Sequence, residues 1–449
     1  MFSRILIANR GEIALRVIRA CREMGIESVA IYSEADADSP HLEQADVKVC
    51  VGGAKSAESY LNMSAVLQAA EQTGAKAIHP GYGFLSENAL FAELCQQMKF
   101  AWIGPPARVI RLMGDKATAR ETMKAAGVPV IPGSEGLVAN VEQAQALAEE
   151  MGYPVLLKAT AGGGGKGMRV CRDSASFVDA YQQASMEAGK AFGNAGLYLE
   201  KYIENGRHIE FQFMVDSFGN AVHLGERECS VQRNHQKLVE ESPSPVIDAE
   251  TRARIGEVVC QGVRSIGYVG AGTMEFLRSP EGELYFMEVN TRLQVEHPVT
   301  ELVTGIDLVQ EQIRVAANHA LSFTQDEMKM TGHAIECRVN AEDPFEGFKP
   351  CPGLVETFAP PTEVEGARVR VDTHVKPGYR IPVYYDSMIC KLIVAGDDRD
   401  RARLGMIAAL EQFEVSGIKT TIPAHLKIMA DPDFAAGNYD TGFIAGLLG

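Results

Sequence analysis

Residues 274–292 read MEFLRSPEGELYFMEVNTR, two apolar segments that each carry one glutamate and flank a turn-forming sequence. This pattern predicts a β-hairpin. If Glu281-Gly282 forms its loop, Glu275 lies directly opposite Glu288 on the neighbouring strand. Like charges in that position are destabilising, so the arrangement favours a cation bound between the two carboxylates. The alternative is a surface hairpin with solvated acids, and a one-residue slip would separate the pair.

A row of polar side chains continues beyond this hairpin. In an extended chain, Glu288, Asn290, Arg292, Gln294 and Glu296 share one face. Two carboxylates and the Asn290 amide oxygen suit Mg²⁺, which usually binds through carboxylates and substrate phosphates. Arg292 suits an oxyanion, and Glu296 is placed to act as a base toward a group held there. The pattern therefore indicates ATP chemistry, with an exposed edge strand as the alternative.

The composition excludes several classes of protein. The chain has 449 residues and a net charge of −16, which argues against nucleic acid as a partner. No apolar run is long enough to span a bilayer. The N-terminal MFSRILIA enters a strand pattern directly, unlike a signal peptide, and the nine cysteines include no Cys-x-x-Cys. We therefore expect a cytoplasmic protein with reduced thiols that binds neither nucleic acid nor membrane.

Alternating strand and helix patterns begin the chain, with strands at 5–8 and 28–32 around a helix at 12–24. This order predicts a doubly wound parallel sheet. The first turn, ANRGE, lacks the Gly-x-Gly-x-x-Gly sequence, so NAD is not expected.

Two further domains follow. A small α/β unit carries Lys158 and a glycine-rich loop at 160–167, whose backbone N–H groups suit phosphates. The pattern then becomes mostly antiparallel. We predict an N-terminal domain at 1–130, a small domain at 131–203 and a large domain at 204–449.

The chain closely resembles the biotin carboxylases of the ATP-grasp superfamily, over essentially all 449 residues. The motifs that carry the resemblance are IANRGEIA at 7–14, HPGYGFLSE at 79–87, MGDK at 113–116, the glycine-rich loop, and EVNTRLQVEHPVTE at 288–301. It implies an ATP-grasp fold of mixed α/β and α+β class, with an N-terminal parallel-sheet domain, a small lid and a large antiparallel domain. The loop has four consecutive glycines, one fewer than is common in the family.

The resemblance also implies a reaction. ATP and bicarbonate would form carboxyphosphate, and the carboxyl group would then move to the ureido nitrogen of biotin. A strong base made in place, the phosphate released from carboxyphosphate, would remove the biotin proton. Closure of the lid would keep the reactive intermediate from water.

Residues that match the family's motifs take roles by resemblance. Those implied to bind ATP are Lys116, Lys158, Gly164, Gly165, Glu200, Lys201, Tyr202, Ile203, His208, His235, Glu275 and Glu288. Those implied to bind Mg²⁺ or Mn²⁺, two ions per site, are Glu275, Glu288 and Asn290. Lys237, Arg292 and Val295 would hold bicarbonate, Glu296 would deprotonate it, and Arg338 would stabilise the biotin enolate near Tyr82. The catalytic set is thus Arg292, Glu296, Lys237 and Arg338.

The expected partners follow from the same resemblance. Glu327-Met328-Lys329-Met330 looks like a biotin-acceptor tetrapeptide, but it follows a helical stretch and no separate acceptor domain comes after it. We therefore expect a homodimer that receives biotin from a separate carrier protein and works with carboxyltransferase subunits. Acetyl-CoA carboxylase, in fatty acid synthesis, is the expected assembly. The alternatives are a pyruvate, propionyl-CoA or other acyl-CoA carboxylase, a carbamoyl-phosphate-type ligase, and an inactive nucleotide-binding regulator.

Overall fold

The computed structural model describes residues 1–159, 168–192, 196–234 and 236–448. The chain divides into two compact units. The first unit consists of residues 1–128, 207–276 and 287–449, and the second consists of residues 129–206 and 277–286. The three domain ranges drawn from the sequence stay a prediction. Most residues of the candidate site lie in the first unit.

A parallel sheet begins the first unit. Its strands are β1 (Arg4–Ile7), β2 (Glu27–Ser33), β3 (Val47–Gly52), β4 (Ala77–His79) and β5 (Ala101–Trp102), in the order β3-β2-β1-β4-β5. The helices of this region are α1 (Gly11–Glu23), α2 (Met63–Thr73), α3 (Ala89–Gln97), α4 (Ala107–Gly114) and α5 (Lys116–Ala125). Ile5 and Ile7 enter one apolar core and Leu6 enters another, because successive strand residues point to opposite faces. The predicted doubly wound sheet is confirmed.

The second unit contains a small antiparallel sheet. Its strands are β6 (Val155–Ala159), β7 (Met168–Cys171) and β8 (Leu197–Lys201), in the order β7-β6-β8. Helices α6 (Val141–Met151) and α7 (Phe177–Phe192) belong to the same unit. Val155 and Leu157 pack with Phe177 in one buried apolar cluster, which gives this unit a core of its own.

A large sheet of eight strands forms the framework of the candidate site. Its strands are β9 (Arg207–Val215), β10 (Ala221–Arg233), β11 (Gln236–Ser242), β12 (Gly270–Arg278), β13 (Leu284–Asn290), β14 (His333–Asn340), β18 (Arg368–Thr373) and β19 (Met388–Gly396). They are ordered β13-β12-β9-β10-β11-β14-β19-β18. The run from β9 to β18 is antiparallel, as predicted.

Helices and short strands complete the fold. The helices are α8 (Ala249–Ser265), α9 (His297–Thr304), α10 (Leu308–Ala316), α11 (Arg399–Gln412), α12 (Ile422–Ala430), α13 (Pro432–Ala436) and α14 (Phe443–Leu448). The short strands are β15 (Glu342–Asp343), β16 (Lys349–Pro350), β17 (Thr357–Ala359) and β20 (Glu414–Ser416). Leu392 and Val394 of β19 pack with Met406 of α11 in one core, whereas Ile393 packs with Val299 of α9 on the other face. Within the described part of the chain, we find no helix with the length and hydropathy that crossing a bilayer requires.

The turn between β12 and β13 differs from the prediction by one residue. Ser279 N–H donates to the carbonyl of Glu283, and Gly282 N–H donates to the carbonyl of Ser279. The loop closed by these bonds therefore has three residues, 280–282, rather than two, and Gly282 adopts a positive φ of 102°, as a glycine bulge requires. With Ser279 opposite Glu283, a regular ladder would set Glu275 opposite Met287, so the turn does not support the direct pairing of Glu275 with Glu288, which stays a prediction.

The strand predicted to run from Glu288 to Glu296 is also shorter than expected. β13 ends at Asn290, and residues 291–296 are neither strand nor helix. Pro298 stands in the first turn of α9, where a missing N–H costs nothing. The polar residues of this run therefore do not lie along one strand face, and their positions depend on side-chain contacts.

A buried carboxylate joins the large sheet to the C-terminal helices. Glu241 of β11 accepts hydrogen bonds from His333 Nε2 at 2.6 Å and from Arg399 Nε at 2.7 Å, and also from the Tyr439 hydroxyl. Burial alone raises the pKa of Glu241, but the bonds from His333 and Arg399 outweigh burial and lower it to about 2. The ionised carboxylate thus contributes to stability.

We expect Glu241→Gln to lower the free energy of unfolding at pH 7 by about 3 kcal/mol, the equivalent of this pKa shift. Because the folded pKa lies below the unfolded value, the contribution is complete above about pH 4.5 and is lost as the pH falls toward 2. Urea denaturation at several pH values measures it. The control is Glu411→Gln on the exposed side of α11, for which a change below about 0.5 kcal/mol is expected. A pH-independent difference would contradict the prediction.

Candidate active site

Lys237 of β11 is the centre of a buried cluster of charges. Its ammonium contacts Glu210 Oε2 at 2.6 Å, Glu296 Oε1 at 2.6 Å and Glu275 Oε1 at 3.3 Å. Burial by itself lowers the pKa of Lys237, but Cys229 and these three glutamates outweigh burial and raise it well above its ordinary value. The side chain is therefore a permanent cation.

Glu296 lies immediately before α9 and is only 1% exposed. Besides Lys237, it accepts a hydrogen bond from Arg338 Nη2 at 3.0 Å. Burial raises the pKa of Glu296, but Lys237 and Arg338 outweigh burial and hold it well below its ordinary value. Arg338 also pairs with Glu240 of β11, with Nε at 2.6 Å from Oε1. The structure thus brings together Lys237, Glu296 and Arg338, which the sequence assigned to one catalytic set.

Two of the three predicted metal ligands, Glu275 and Asn290, lie beside this cluster. Asn290 Nδ2 donates to Glu275 Oε1 at 2.8 Å, and His208 Nε2 lies 3.1 Å from Glu275 Oε2. Burial raises the pKa of Glu275, but Lys237 and His208 outweigh burial and lower it. Glu288 pairs with Lys116, with 2.9 Å between Oε2 and Nζ.

This donor set fits a hard divalent cation. Glu275, Glu288 and Asn290 offer carboxylate and amide oxygens, which are the ligands of Mg²⁺. The structure also brings donor atoms of His208, Glu210 and Glu275 within 4.8 Å of one another. Glu210 is bound to both Arg227 and Lys237, and Glu275 Oε1 accepts from Lys237, Asn290 and Gln294, so a metal at this group would replace existing contacts of these carboxylates.

Arg292 is held by one distant residue, Glu87, and by two close neighbours in the chain. Its Nε donates to Glu87 Oε2 at 3.0 Å, Nη1 donates to Gln294 Oε1 at 2.6 Å, and Nη2 donates to Asn290 Oδ1 at 3.1 Å. Glu87 also accepts a hydrogen bond from the N–H of Thr291 at 2.9 Å. These bonds order residues 291–296 in place of a strand ladder.

A cavity of about 500 Å³ opens beside these groups. Its lining includes Tyr82, Arg292, Val295, Arg338, His374 and Tyr385. Asn9 Nδ2 donates to the carbonyls of Pro80 and Tyr82, each at 2.7 Å, which ties the β4–α3 loop to the β1–α1 turn. A larger cavity of about 890 Å³ is lined by residues 35–48, 352–353 and 376–384 and contains none of the predicted site residues.

In the second unit, Lys158 of β6 forms an ion pair with Glu200 of β8. The Lys201 ammonium donates to the carbonyls of Gly152 at 2.9 Å and Tyr153 at 3.2 Å, so its side chain supports the local backbone. Tyr202 and Ile203 follow β8 and are half-buried. Gly164, Gly165 and His235 lie outside the described residues.

The sequence reasoning missed several members of the cluster. Arg227 is fully buried and donates to Glu210 Oε1 at 2.6 Å, Gln212 Oε1 at 2.8 Å and Thr300 Oγ1 at 2.9 Å. Glu210 itself stands on β9, whose alternating polar and apolar residues are typical of a half-buried strand with one polar face, yet all nine residues of β9 are buried. The alternation of polar residues in HIEFQF was the sequence signal that could have revealed Glu210. A strand also shows a polar face where that face packs against other buried charged groups.

Three family models match the chain in succession. They are described as "Biotin carboxylase, N-terminal domain" over residues 1–110, "Carbamoyl-phosphate synthase L chain, ATP binding domain" over residues 115–324, and "Biotin carboxylase C-terminal domain" over residues 336–446. The biotin carboxylase of a Nostoc species is 54% identical over 443 residues, which cover 99% of this chain and 98% of the relative.

Two solved structures extend the comparison. Biotin carboxylase from Campylobacter jejuni, in a complex described as beta-gamma-ATP, is 50% identical with a TM-score of 0.90 and covers 99% of each chain. The biotin carboxylase domain dimer of Hydrogenobacter thermophilus 2-oxoglutarate carboxylase, in complex with MgADP, ADP and bicarbonate, is 50% identical with a TM-score of 0.89 and covers 99% of this chain and 98% of that one. Fold and site together define an ATP-grasp enzyme. The chain belongs to the biotin carboxylase family.

We expect Arg227→Met to lower the free energy of unfolding by about 3–5 kcal/mol, because it removes one partner of a buried ion pair and leaves Glu210 undercompensated. Chemical denaturation at pH 7 measures the loss. The matched control is Arg233→Met on the same strand, whose guanidinium is half-exposed and lies 4.5 Å from the ring of Phe348. Its loss should stay near 1 kcal/mol or below. Equal losses for both variants would count against the structural importance of Arg227.

Proposed function

We propose that this chain carboxylates biotin on a separate carrier protein, using ATP and bicarbonate, as the first half-reaction of acetyl-CoA carboxylase. The observation that carries the proposal is the position of Glu296, a buried carboxylate held ionised between Lys237 and Arg338. Val295 and Arg292 line the adjoining cavity. To activate a small oxyanion, a site needs a fixed cationic group that holds the anion and a base beside it that takes its proton.

The phosphates of ATP are assigned to Lys116, Lys158 and His208, with Gly164, Gly165 and His235 as further contacts. The adenine is assigned to the segment from Glu200 to Ile203. Phosphoryl transfer depends on positioning and charge neutralisation more than on covalent help. The pairing of Lys116 with Glu288 supports this assignment, because it keeps an exposed ammonium next to a metal ligand.

Bicarbonate is assigned to Lys237, Arg292 and the backbone at Val295. Arg292 offers a planar fork of donors suited to a carboxylate-like anion. Glu296 takes the bicarbonate proton, an oxygen of the resulting carbonate attacks the γ-phosphorus, and ADP leaves, so that carboxyphosphate forms. Carboxyphosphate then breaks its bond between the carboxyl carbon and the phosphate oxygen, which gives CO₂ and phosphate. The phosphate accepts the proton of the biotin ureido nitrogen, and the deprotonated nitrogen attacks the carbon of CO₂ to form carboxybiotin.

Arg338 is assigned to the enolate oxygen of biotin, and Tyr82 to the wall of the biotin site. Both side chains line the 500 Å³ cavity, which supports the assignment. Arg338 is also joined to Glu296 and Glu240, so its guanidinium is oriented before the substrate arrives.

Glu275, Glu288 and Asn290 are assigned to Mg²⁺ or Mn²⁺, two ions per site. When bound, such ions neutralise the developing charge on the β- and γ-phosphates. The MgADP complex of the Hydrogenobacter relative supports Mg²⁺ for this chain. The same relative is a dimer, which supports a homodimer here.

The acyl acceptor would bind a carboxyltransferase subunit, so it is proposed on similarity alone. Identity is somewhat higher to the Nostoc biotin carboxylase, at 54%, than to the 2-oxoglutarate carboxylase small subunit of Hydrogenobacter thermophilus, at 51%. A pyruvate or other acyl-CoA carboxylase is the second candidate. The name of the 2-oxoglutarate carboxylase indicates that a relative of similar identity works with a different acceptor. Lys329 lies between α10 and β14 in a segment that is neither strand nor helix, not at the tip of a β-hairpin in a separate domain, which supports delivery of biotin by a carrier.

The decisive experiment measures ADP release with ATP, Mg²⁺ and bicarbonate, with and without free biotin. Stimulation by biotin, together with transfer of ¹⁴C from bicarbonate to biotin, is the expected result. Turnover that depends on ammonia would instead indicate a carbamoyl-phosphate-type ligase. ATP binding without any turnover would indicate a regulator.

We expect Glu288→Lys to abolish metal-dependent ATP turnover, because it replaces a metal ligand with a cation next to Lys116. ADP release over a range of Mg²⁺ concentrations measures the loss. Glu283→Lys, which makes the same charge change elsewhere on the hairpin, should retain turnover. Unchanged turnover in Glu288→Lys would remove Glu288 from the metal site.

We expect Arg338→Ala to spare bicarbonate-dependent ATP cleavage more than biotin carboxylation, because its guanidinium is assigned to the biotin enolate. The two activities are measured in parallel as ADP release and ¹⁴C-carboxybiotin. Arg254→Ala, at an exposed position of α8, serves as the control. Equal losses of both activities would argue against the role.

A further inference from the structure

Lys391 of β19 is a fully buried lysine that the catalytic assignment leaves unused. Its ammonium donates to the carbonyl of Val295 at 2.9 Å and lies 3.2 Å from Glu12 Oε1 and 3.9 Å from Asp372 Oδ2. Its side chain has no exposed surface. A buried charge of this kind is costly unless it is paired and hydrogen-bonded, so its contacts explain its presence.

The acidic groups around Lys391 are not equivalent. Asp372 is already neutralised by Arg370, with 2.8 Å between Nη2 and Oδ2. Glu336 makes no hydrogen bond through either oxygen to the residues that the structure describes. Burial raises the pKa of both Glu336 and Glu12, so the difference between them is geometric: Glu12 lies 3.2 Å from the Lys391 ammonium. Glu12 is therefore the main counter-charge of Lys391.

Glu12 connects Lys391 to the cavity of about 500 Å³. It accepts a hydrogen bond from the hydroxyl of Tyr82, and both residues line the cavity of about 500 Å³. The Lys391 ammonium itself lies 5.9 Å from the centre of the Tyr82 ring. One cation thus supports the wall assigned to biotin.

The other contact of Lys391 is to the segment that carries Glu296. Residues 291–296 have no strand or helix ladder. Thr291 is bound by Glu87, and the carbonyl of Gln294 is bound by His297 Nδ1 at 2.8 Å. The carbonyl of Val295 belongs to the peptide group that precedes Glu296. Its bond to Lys391 therefore restricts the direction in which the Glu296 side chain leaves the backbone.

We propose that Lys391 is a positioning residue for the bicarbonate step: by holding the Val295 carbonyl and Glu12 together, it orients Glu296 and the adjoining backbone toward bicarbonate. This inference rests on the proposed function. The competing explanation is that Lys391 only neutralises Glu12 and has no part in the geometry of the Val295–Glu296 peptide.

The test uses the full chain and separates these explanations by removing both charges together. Lys391→Met removes the donor to Val295 and leaves Glu12 unpaired. The double variant Glu12→Gln/Lys391→Met removes both charges, so neither is left buried without its partner. The amide oxygen introduced at position 12 can still accept a hydrogen bond from Tyr82. The Glu12→Gln single variant is the reference, because it keeps the Lys391–Val295 bond. Lys419→Met, which breaks a surface pair with Asp343, is the matched control with wild-type kinetics.

If Lys391 positions the bicarbonate site, the bicarbonate KM should rise at least about tenfold in Lys391→Met relative to wild type, and by a similar factor in the double variant relative to Glu12→Gln. The KM for ATP should stay within about twofold, because Lys116 and the metal ligands do not contact Lys391. The melting temperature of the double variant should return close to that of wild type. A purely structural role does not produce this separation of the two KM values.

The inference is overturned if the double variant recovers the bicarbonate KM of Glu12→Gln, or if both KM values rise together. Should Lys391→Met fail to fold, the double variant carries the test. Absence of bicarbonate- and biotin-dependent ADP release in the wild type would instead refute the proposed function, so the two failures are distinguishable.

Discussion

The ammonium of Lys237 is the interaction on which the site depends. It binds Glu210 of β9, Glu275 of β12 and Glu296 before α9, so three carboxylates from three parts of the chain share one cation. Without that charge, three acids would face each other in a region of low dielectric, where repulsion is strong. They would have to take up protons or move apart. The ordering of the site therefore follows from one buried positive charge.

The charges around Lys237 alternate in sign over a longer path. Arg227 contacts Glu210, Lys237 joins Glu210 to Glu296, and Arg338 joins Glu296 to Glu240. Buried ion pairs seldom stabilise a fold more than apolar residues of the same size would. Their value here is electrostatic preorganisation, because donors and acceptors are already fixed beside the cavity. The stability that holds them in place comes from the apolar cores on the faces of the sheets.

Local sequence patterns predicted the elements well and their ends less well. The parallel sheet was predicted because strand and helix periodicities are local properties. The hairpin turn was wrong by one residue, since Gly282 forms a bulge that a two-residue loop would not need. The strand predicted to run through Glu296 was wrong because alternation of polar residues also occurs in an irregular segment, here the one that leads into α9 at His297. Arg227 and Lys391 were missed because their partners are far away in the chain.

The sequence alone determined which chemical groups are available, which segments form strands and helices, and to which family the chain is similar. The tertiary structure decided which acid meets which cation. Lys237 finds its partners 27, 38 and 59 residues away, and Lys391 reaches Val295 across 96 residues. The physical reason is that ion pairing depends on distance in space, which here follows from the order in which the strands lie side by side. Local propensity carries no information about that order.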